Sequence, residues 1–180
     1  SMGLIKRDHR GVRLMPNGKP LDLIVETAGE STEQTDVLEL IHDNWLNIGI
    51  KIYSKPSQRN VFRNRVFAGE TAMSIWSGIE NGLVTANSSP AEFAPTTQQS
   101  LQWPKWGQYF ETGGKAGEAP DQPHAKTLLK LYKEWRTEID LQKRKSIWNE
   151  MLKINAEQVY SIGLVAGVLQ PVVVANSLQN

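Results

Sequence analysis

The stretch from Leu21 to Gly78, "LDLIVETAGESTEQTDVLELIHDNWLNIGIKIYSKPSQRNVFRNRVFAGETAMSIWSG", sets the fold class of this chain. It opens with an extended run in which Leu21, Leu23 and Val25 alternate with Asp22, Ile24 and Glu26, the period-two pattern of a strand. Val37, Leu38, Ile41, Trp45 and Ile48 then recur at helical spacing, with Ser31 or Thr32 as the N-terminal cap and Gly49 as the stop. "IKIYS" is a second short strand with Ile50 and Ile52 turned inward. "SQRNVFRNRVFAG" is a second helix, opened by Ser57 and closed by Gly69, and "TAMSIWSG" is a third strand. Strand, helix, strand, helix, strand in so few residues is a βαβαβ unit. It predicts a mostly parallel sheet with Leu23, Val25, Ile50, Ile52, Met73 and Ile75 buried between flanking helices near 33–48 and 57–68.

Upstream, "VRLMPNGKP" reads as an extended run turning at Pro16-Asn17-Gly18 into the first strand, since Asn-Gly supplies the positive φ of a tight hairpin. Downstream, periodicity fades. Residues 78–122 are rich in Ser, Thr, Asn, Gln, Gly and Pro and read as one long loop, yet "LQWPKWGQYFETGGKAG" (101–117) crowds Trp103, Trp106, Tyr109 and Phe110 together. A loop of that length in a compact domain is usually functional or disordered, and its aromatic density argues against disorder. Beyond it, "PHAKTLLKLYKEWRTEI" and "DLQKRKSIWNEMLKINAEQ" read as an αα-hairpin. Asp140 caps its second helix, Leu128, Leu131, Tyr132, Trp135 and Ile139 line one member, and Leu141, Ile147, Met151 and Ile154 line the other. "VYSIGLV" and "QPVVVANS" close the chain as extended apolar runs.

Length and composition bound the function. The chain has 180 residues, 39% hydrophobic and 22% charged, with a formal net charge of +1. One domain is the expectation at this size, and the balanced charge lacks the basic excess of a nucleic-acid binder. Absence of cysteine excludes a disulfide scaffold, a thiolate nucleophile and Cys-ligated metal. No apolar run reaches the roughly 20 residues of a membrane span, and "SMGLIKRDHRG" lacks the apolar heart of a signal peptide. The Ser ahead of Met2 and the strand-like run close to the end suggest a piece of a longer protein.

Catalytic patterns are scarce. His9, His42 and His124 show no metal-ligand spacing, and His42 reads as a solvated helix position beside Asp43. No nucleophile elbow or phosphate loop is present, and "TGGKAGE" reads as a flexible turn because it neither follows a strand nor leads into a helix. No metal, cofactor or catalytic residue is therefore assigned, and the expectation is a non-enzyme. Glu80 is singled out because it follows the third strand at its carboxyl end, where open α/β sheets place their ligands. Trp45, Trp135 and Trp148 belong to apolar helix faces. Trp76 ends a strand near Glu80. Trp103, Trp106 and Tyr109 carry flat amphipathic rings that either line a binding cleft or anchor the loop to the sheet.

Three segments together carry a resemblance: "GKPLDLIVETAG", the run from "VLELIHDNWLNIGIKIYS" to "FAGETAMSIWSG", and "INAEQVYSIGLVAGVLQPVVVANSLQN". They resemble the C-terminal lobe of the family 5 extracellular solute-binding proteins of bacterial ABC importers, the oligopeptide and dipeptide type. The resemblance covers nearly the whole chain. Its most specific features are the order strand, helix, "NIGIKI", helix with F-x-x-R, "FAGE", strand, Trp, and the segment "SLQWPKWGQYFETGGKAGEAP".

The resemblance implies an α/β fold, one lobe of a type II periplasmic binding protein, with a mixed, mostly parallel sheet flanked by helices. Residues 1–180 would form a single domain of a longer two-lobe protein whose missing N-terminal lobe closes over the ligand. It also implies a periplasmic or extracytoplasmic location, a membrane permease as partner, and a small-molecule ligand held by Trp76, Glu80, Trp103, Trp106 and Tyr109. Peptide-binding members carry an Asp three residues after the strand-ending Trp as partner of the ligand's ammonium. Here Ile79 stands in that place with Glu80 next, so either Glu80 substitutes for it or the ligand is a modified peptide, an opine-like compound or an oligosaccharide. Two other classes stay open: a freestanding carbohydrate-binding or interaction module using exposed Trp residues, and a hydrolase using Glu80.

Overall fold

A computed structural model of the chain describes residues 3–78 and 88–165. Strand β1 (Asp22–Thr27) leads into helix α1 (Thr32–Asn47), strand β2 (Lys51–Pro56) and helix α2 (Arg59–Ala68). A short 3-10 turn, Pro90–Phe93, precedes α3 (Pro104–Glu111), α4 (Pro123–Thr137) and α5 (Leu141–Gln158).

β1 and β2 pair in parallel, in a register that sets Asp22 against Lys51, Val25 against Ser54 and Thr27 against Pro56. The parallel reading of the first strands therefore holds. The expected third strand is reduced to one parallel bridge between Glu26 and Ser74, with Glu26 N–H donating to Met73 O at 2.9 Å and Ile75 N–H to Glu26 O at 3.1 Å. β1 is thus flanked on both sides, and β2 has β1 as its one strand partner among the described residues.

Parity along β1 separates two surfaces. Val25, with Ile52 of β2 and Leu38 of α1, forms a buried cluster against which Ile41, Trp45, Met73 and Ile75 pack. Leu23, Ile50, Met73 and Ile75 are only partly buried, a correction to their expected full burial. On the opposite surface Glu26 is 5% exposed, against the alternation that assigned it to solvent. Its carboxylate receives two bonds of 2.9 Å from Arg65 of α2 and lies 3.8 Å from Lys55. Ile24 on that surface remains 54% exposed.

Ser31 caps α1, its hydroxyl accepting from Gln34 N–H at 3.2 Å. α2 starts one residue later than the Ser57 cap predicts, with Gln58 as N-cap and no side-chain bond there, and Gly69 ends it in the left-handed conformation at φ 78°. The N-terminal arm turns at Asn17-Gly18 as expected, but bridges at Arg7–Arg13 and Leu14–Pro20 replace a regular hairpin. Arg13 Nε donates to Ile48 O at 2.6 Å, supplying a partner to the carbonyl end of α1.

The second half of the chain is helical. Trp103, Leu128, Leu131, Met151, Ile154 and Ala94 share one core between α4 and α5. Asp140 caps α5 as expected, accepting from Lys143 N–H at 2.8 Å. Trp135 and Trp148 are buried, whereas Ile139 is 91% exposed in the link between the helices and Leu141 is 65% exposed. Both were expected on the packed faces, yet the chain leaves α4 at Thr137 before the helical period can turn Ile139 inward. "VYSIGLV" is irregular and mostly exposed rather than a strand, and "QPVVVANS" lies outside the described residues.

The main departure concerns the long loop. Residues 104–111 of "LQWPKWGQYFETGG" form a helix, with Pro104 in its first turn, where a missing N–H costs nothing. Single-sequence periodicity is weak over eight residues, and Gly107 in the centre disguises the helix. Gly107 is required by contact: a Cβ there would stand 2.0 Å from Thr97 O, so α3 rides directly on the backbone of the preceding turn.

Candidate functional site

Three chain turns meet at the carboxyl ends of the strands. After β1, Thr27 Oγ1 accepts from Gly29 N–H at 2.8 Å, bending the chain toward Glu30 and the Ser31 cap. After β2, Ser57 N–H donates to Thr27 O at 3.0 Å, bringing the start of α2 alongside. Gly29 permits this approach: its φ is +67°, and a Cβ there would lie 3.2 Å from that of Pro56. After the Ser74 bridge, the chain delivers Trp76 and Ser77 to the same end. Ala28, Glu30, Ser31, Gln34, Arg59, Trp76 and Ser77 line an open cavity of about 180 Å³ there.

Its polar wall is an ion pair. Arg59 Nε donates to Glu30 Oε2 at 2.8 Å, and Arg59 Nη2 donates to the same oxygen. Both side chains are half exposed, at 51% for Arg59 and 48% for Glu30. The guanidinium holds the Glu30 carboxyl below its ordinary range. Arg59 also lies over Trp76, 5.4 Å from the ring centroid, and Phe62, one turn further along α2, stacks on Trp76 at 5.5 Å and 27°. Trp76 is therefore fixed across one face of α2 while bordering the cavity. The ensemble offers an aromatic edge, a cation, an anion and a hydroxyl within one small concavity, a set suited to binding.

Of the residues singled out in the sequence, Trp76 lies at this cavity. Glu80, with Ile79, lies outside the described residues. Trp103, Trp106 and Tyr109 are not among the lining residues. Trp103 is 3% exposed, edge-on to Tyr160 at 5.0 Å in the helical core, where it anchors the start of α3. Trp106 is partly buried against the same core. Tyr109 is 36% exposed, and its ring closes on Gly114 of the following turn, at 3.3 Å from where a Cβ would sit. As site residues, Glu30, Arg59 and Gln34 escaped the sequence reading, and Ser31 entered it only as a helix cap. The rule that drew attention to Glu80, ligands at the carboxyl ends of parallel strands, applies equally to the turns after β1 and β2 and would have found them.

A larger hollow of about 320 Å³, bordered by Leu38, His42, Asp43, Ile52 and Ser54, lies between α1 and β2. It runs beside the edge of β2 that has no strand neighbour among the described residues. His42 Nδ1 stands 3.2 Å from Asp43 Oδ1, the partly solvated position expected for it. Among the described residues no group of His, Asp and Glu is arranged to hold a metal ion. No helix there is long and apolar enough to cross a membrane.

Comparison with solved structures finds the same architecture as a part of larger proteins. The fold is that of one lobe of a periplasmic binding protein. Oligopeptide-binding protein OppA superposes with a TM-score of 0.70 at 23% identity, over 88% of this chain and 26% of its own. NikA from Brucella suis, in complex with Fe(III)-EDTA, gives 0.67 at 14% identity over 91% and 30%. The periplasmic binding protein MelB from Agrobacterium fabrum C58, in complex with stachyose, gives 0.67 at 15% identity over 90% and 24%. The chain thus spans about a quarter to a third of the length of the structures it resembles. No protein-family model matches it, and no curated protein matches it in sequence. The resemblance carried by "NIGIKI", "FAGE" and the strand-ending Trp and this structural likeness agree on the fold.

Proposed function

We propose that this chain is the C-terminal ligand-binding lobe of the solute-binding component of an ABC importer. In this reading residues 1–180 are one domain of a longer extracytoplasmic protein, whose N-terminal lobe closes over a small ligand and presents it to a membrane permease. The observation that carries it is the cavity at the strand carboxyl ends, in a fold whose solved relatives are described as binding proteins. The three turns that build the cavity project the same way, so a second lobe facing them would enclose whatever they hold. The ligand is peptide-like, opine-like or an oligosaccharide. Trp76 and Glu80 border it in this proposal, with Tyr109 and Trp106 framing the approach, while Trp103 supports the helix that carries them. No chemical step is assigned to any residue.

Calorimetry of the full-length protein against di- to pentapeptides, opines and stachyose tests the proposal. Micromolar or tighter binding of one class by the full-length protein, with far weaker binding by the isolated 180-residue chain, is the expected result. Equal affinity of the isolated chain for a sugar would instead establish a freestanding carbohydrate-binding module. Turnover of any of these compounds would establish a hydrolase.

A further inference from the structure

Resting on the solute-binding reading, the cavity also specifies the charge of its ligand. Arg59 and Glu30 are joined at one carboxylate oxygen, and Arg59 lies on Trp76. Among the described residues Glu30 Oε1 carries no hydrogen bond, and Arg59 Nη1 likewise makes none. We infer that the Arg59–Glu30 pair is a specificity determinant that selects an amino-acid-like zwitterionic group, a carboxylate beside an ammonium, over ligands that are neutral or carry a single charge.

The argument compares what each ligand leaves behind. A lone carboxylate reaching Arg59 meets repulsion from Glu30, and if it displaces Glu30 it leaves that carboxylate without its partner. A lone ammonium at Glu30 does the same to Arg59. As a facing lobe excludes water, an orphaned charge becomes costly, so such ligands exchange one pair for another and gain little. A sugar hydroxyl can bond to the open Arg59 Nη1 or Glu30 Oε1, but it brings a dipole and no charge to either group. A zwitterion alone re-pairs both groups, its carboxylate on the open donors of Arg59 and its ammonium on Glu30 Oε1, giving four alternating charges. Trp76 holds the guanidinium in place, so Arg59 does not have to be ordered anew when the ligand arrives.

Competition and direct calorimetry on the full-length protein test this with alanine, an opine bearing a secondary ammonium, N-acetylalanine, alaninamide and stachyose. The zwitterions are expected to bind at least tenfold more tightly than either singly charged compound. Glu30→Gln should weaken zwitterion binding at least tenfold while strengthening N-acetylalanine, which no longer faces a competing carboxylate. Arg59→Gln should act in the opposite sense, favouring alaninamide. Thermal melts within a few degrees of the parent show that both variants fold. Binding of stachyose unaffected by either variant, or singly charged compounds as tight as alanine, overturns the inference and leaves the solute-binding reading intact. Failure of every compound here to bind overturns the inference, and failure of the di- to pentapeptides as well overturns the solute-binding reading.

Discussion

Glu26 is the side chain whose environment departs furthest from its sequence context. It is the penultimate residue of β1, almost without solvent, and Arg65 holds its carboxyl below the ordinary value of 4.5, with Lys55 assisting. The folded state therefore binds fewer protons than the unfolded chain just below that value. The stabilisation is complete above about pH 5 and is lost as pH falls through the lowered folded pKa. Urea midpoints at pH 7 and pH 4 should show the parent losing stability on acidification and Glu26→Gln losing less. Arg65→Ala should cost roughly 3 kcal/mol at pH 7, the low end for breaking a buried pair, because Arg65 itself is 33% exposed. Trp103 and Tyr109 separate in the same assay. Trp103→Ala removes a ring that is 3% exposed and should cost about 3 to 5 kcal/mol, whereas Tyr109→Ala, at a ring 36% exposed, should cost about 1 kcal/mol or less. A Tyr109 variant as damaging as the Trp103 variant would mean that the turn at 113–117 is part of the core.

At the scale of elements, α3 shows how a helix of eight residues is specified by its neighbours. Its N-cap, Trp103, makes no side-chain capping bond. Glu111 near its end reaches back to Thr97 Oγ1 and Gln98 N–H, at 2.5 and 2.9 Å, so the helix is tied to the turn it covers. Gly107→Ala is favourable by helix propensity, by about 1 kcal/mol, yet the required shift of the Thr97 carbonyl should make it destabilising by several times that amount. A stabilised Gly107→Ala variant in denaturant titration would contradict the close packing. Asp140→Ala in the α5 cap should cost about 1 kcal/mol, an effect confined to the helix start.

For the whole molecule, the two-lobe organisation proposed above predicts that affinity depends on the facing lobe. Full-length protein should bind its ligand at least 100-fold more tightly than residues 1–180 alone, because an open concavity about 180 Å³ in size buries too little of a ligand by itself. Calorimetry on both proteins checks this. How much of this molecule is written locally depends on the range over which its signals act. The alternation at Leu23 and Val25, the spacing of Leu38, Ile41 and Trp45, the Ser31 and Asp140 caps and the Gly69 stop were legible because each acts within a turn or two of chain. Together they determined the βαβα order, the parallel pairing and the helical hairpin. The burial of Glu26, the helix at Pro104–Glu111, the reduction of the third strand to one bridge and the meeting of Glu30, Arg59 and Trp76 were decided by tertiary structure alone. Each depends on a partner far away in sequence: Arg65 for Glu26, Thr97 against Gly107, and the bends after β1 and β2 that bring two helix starts to one tryptophan. Local propensity carries no record of such partners, since the free energy of these contacts appears only when the distant groups are brought together and water leaves from between them.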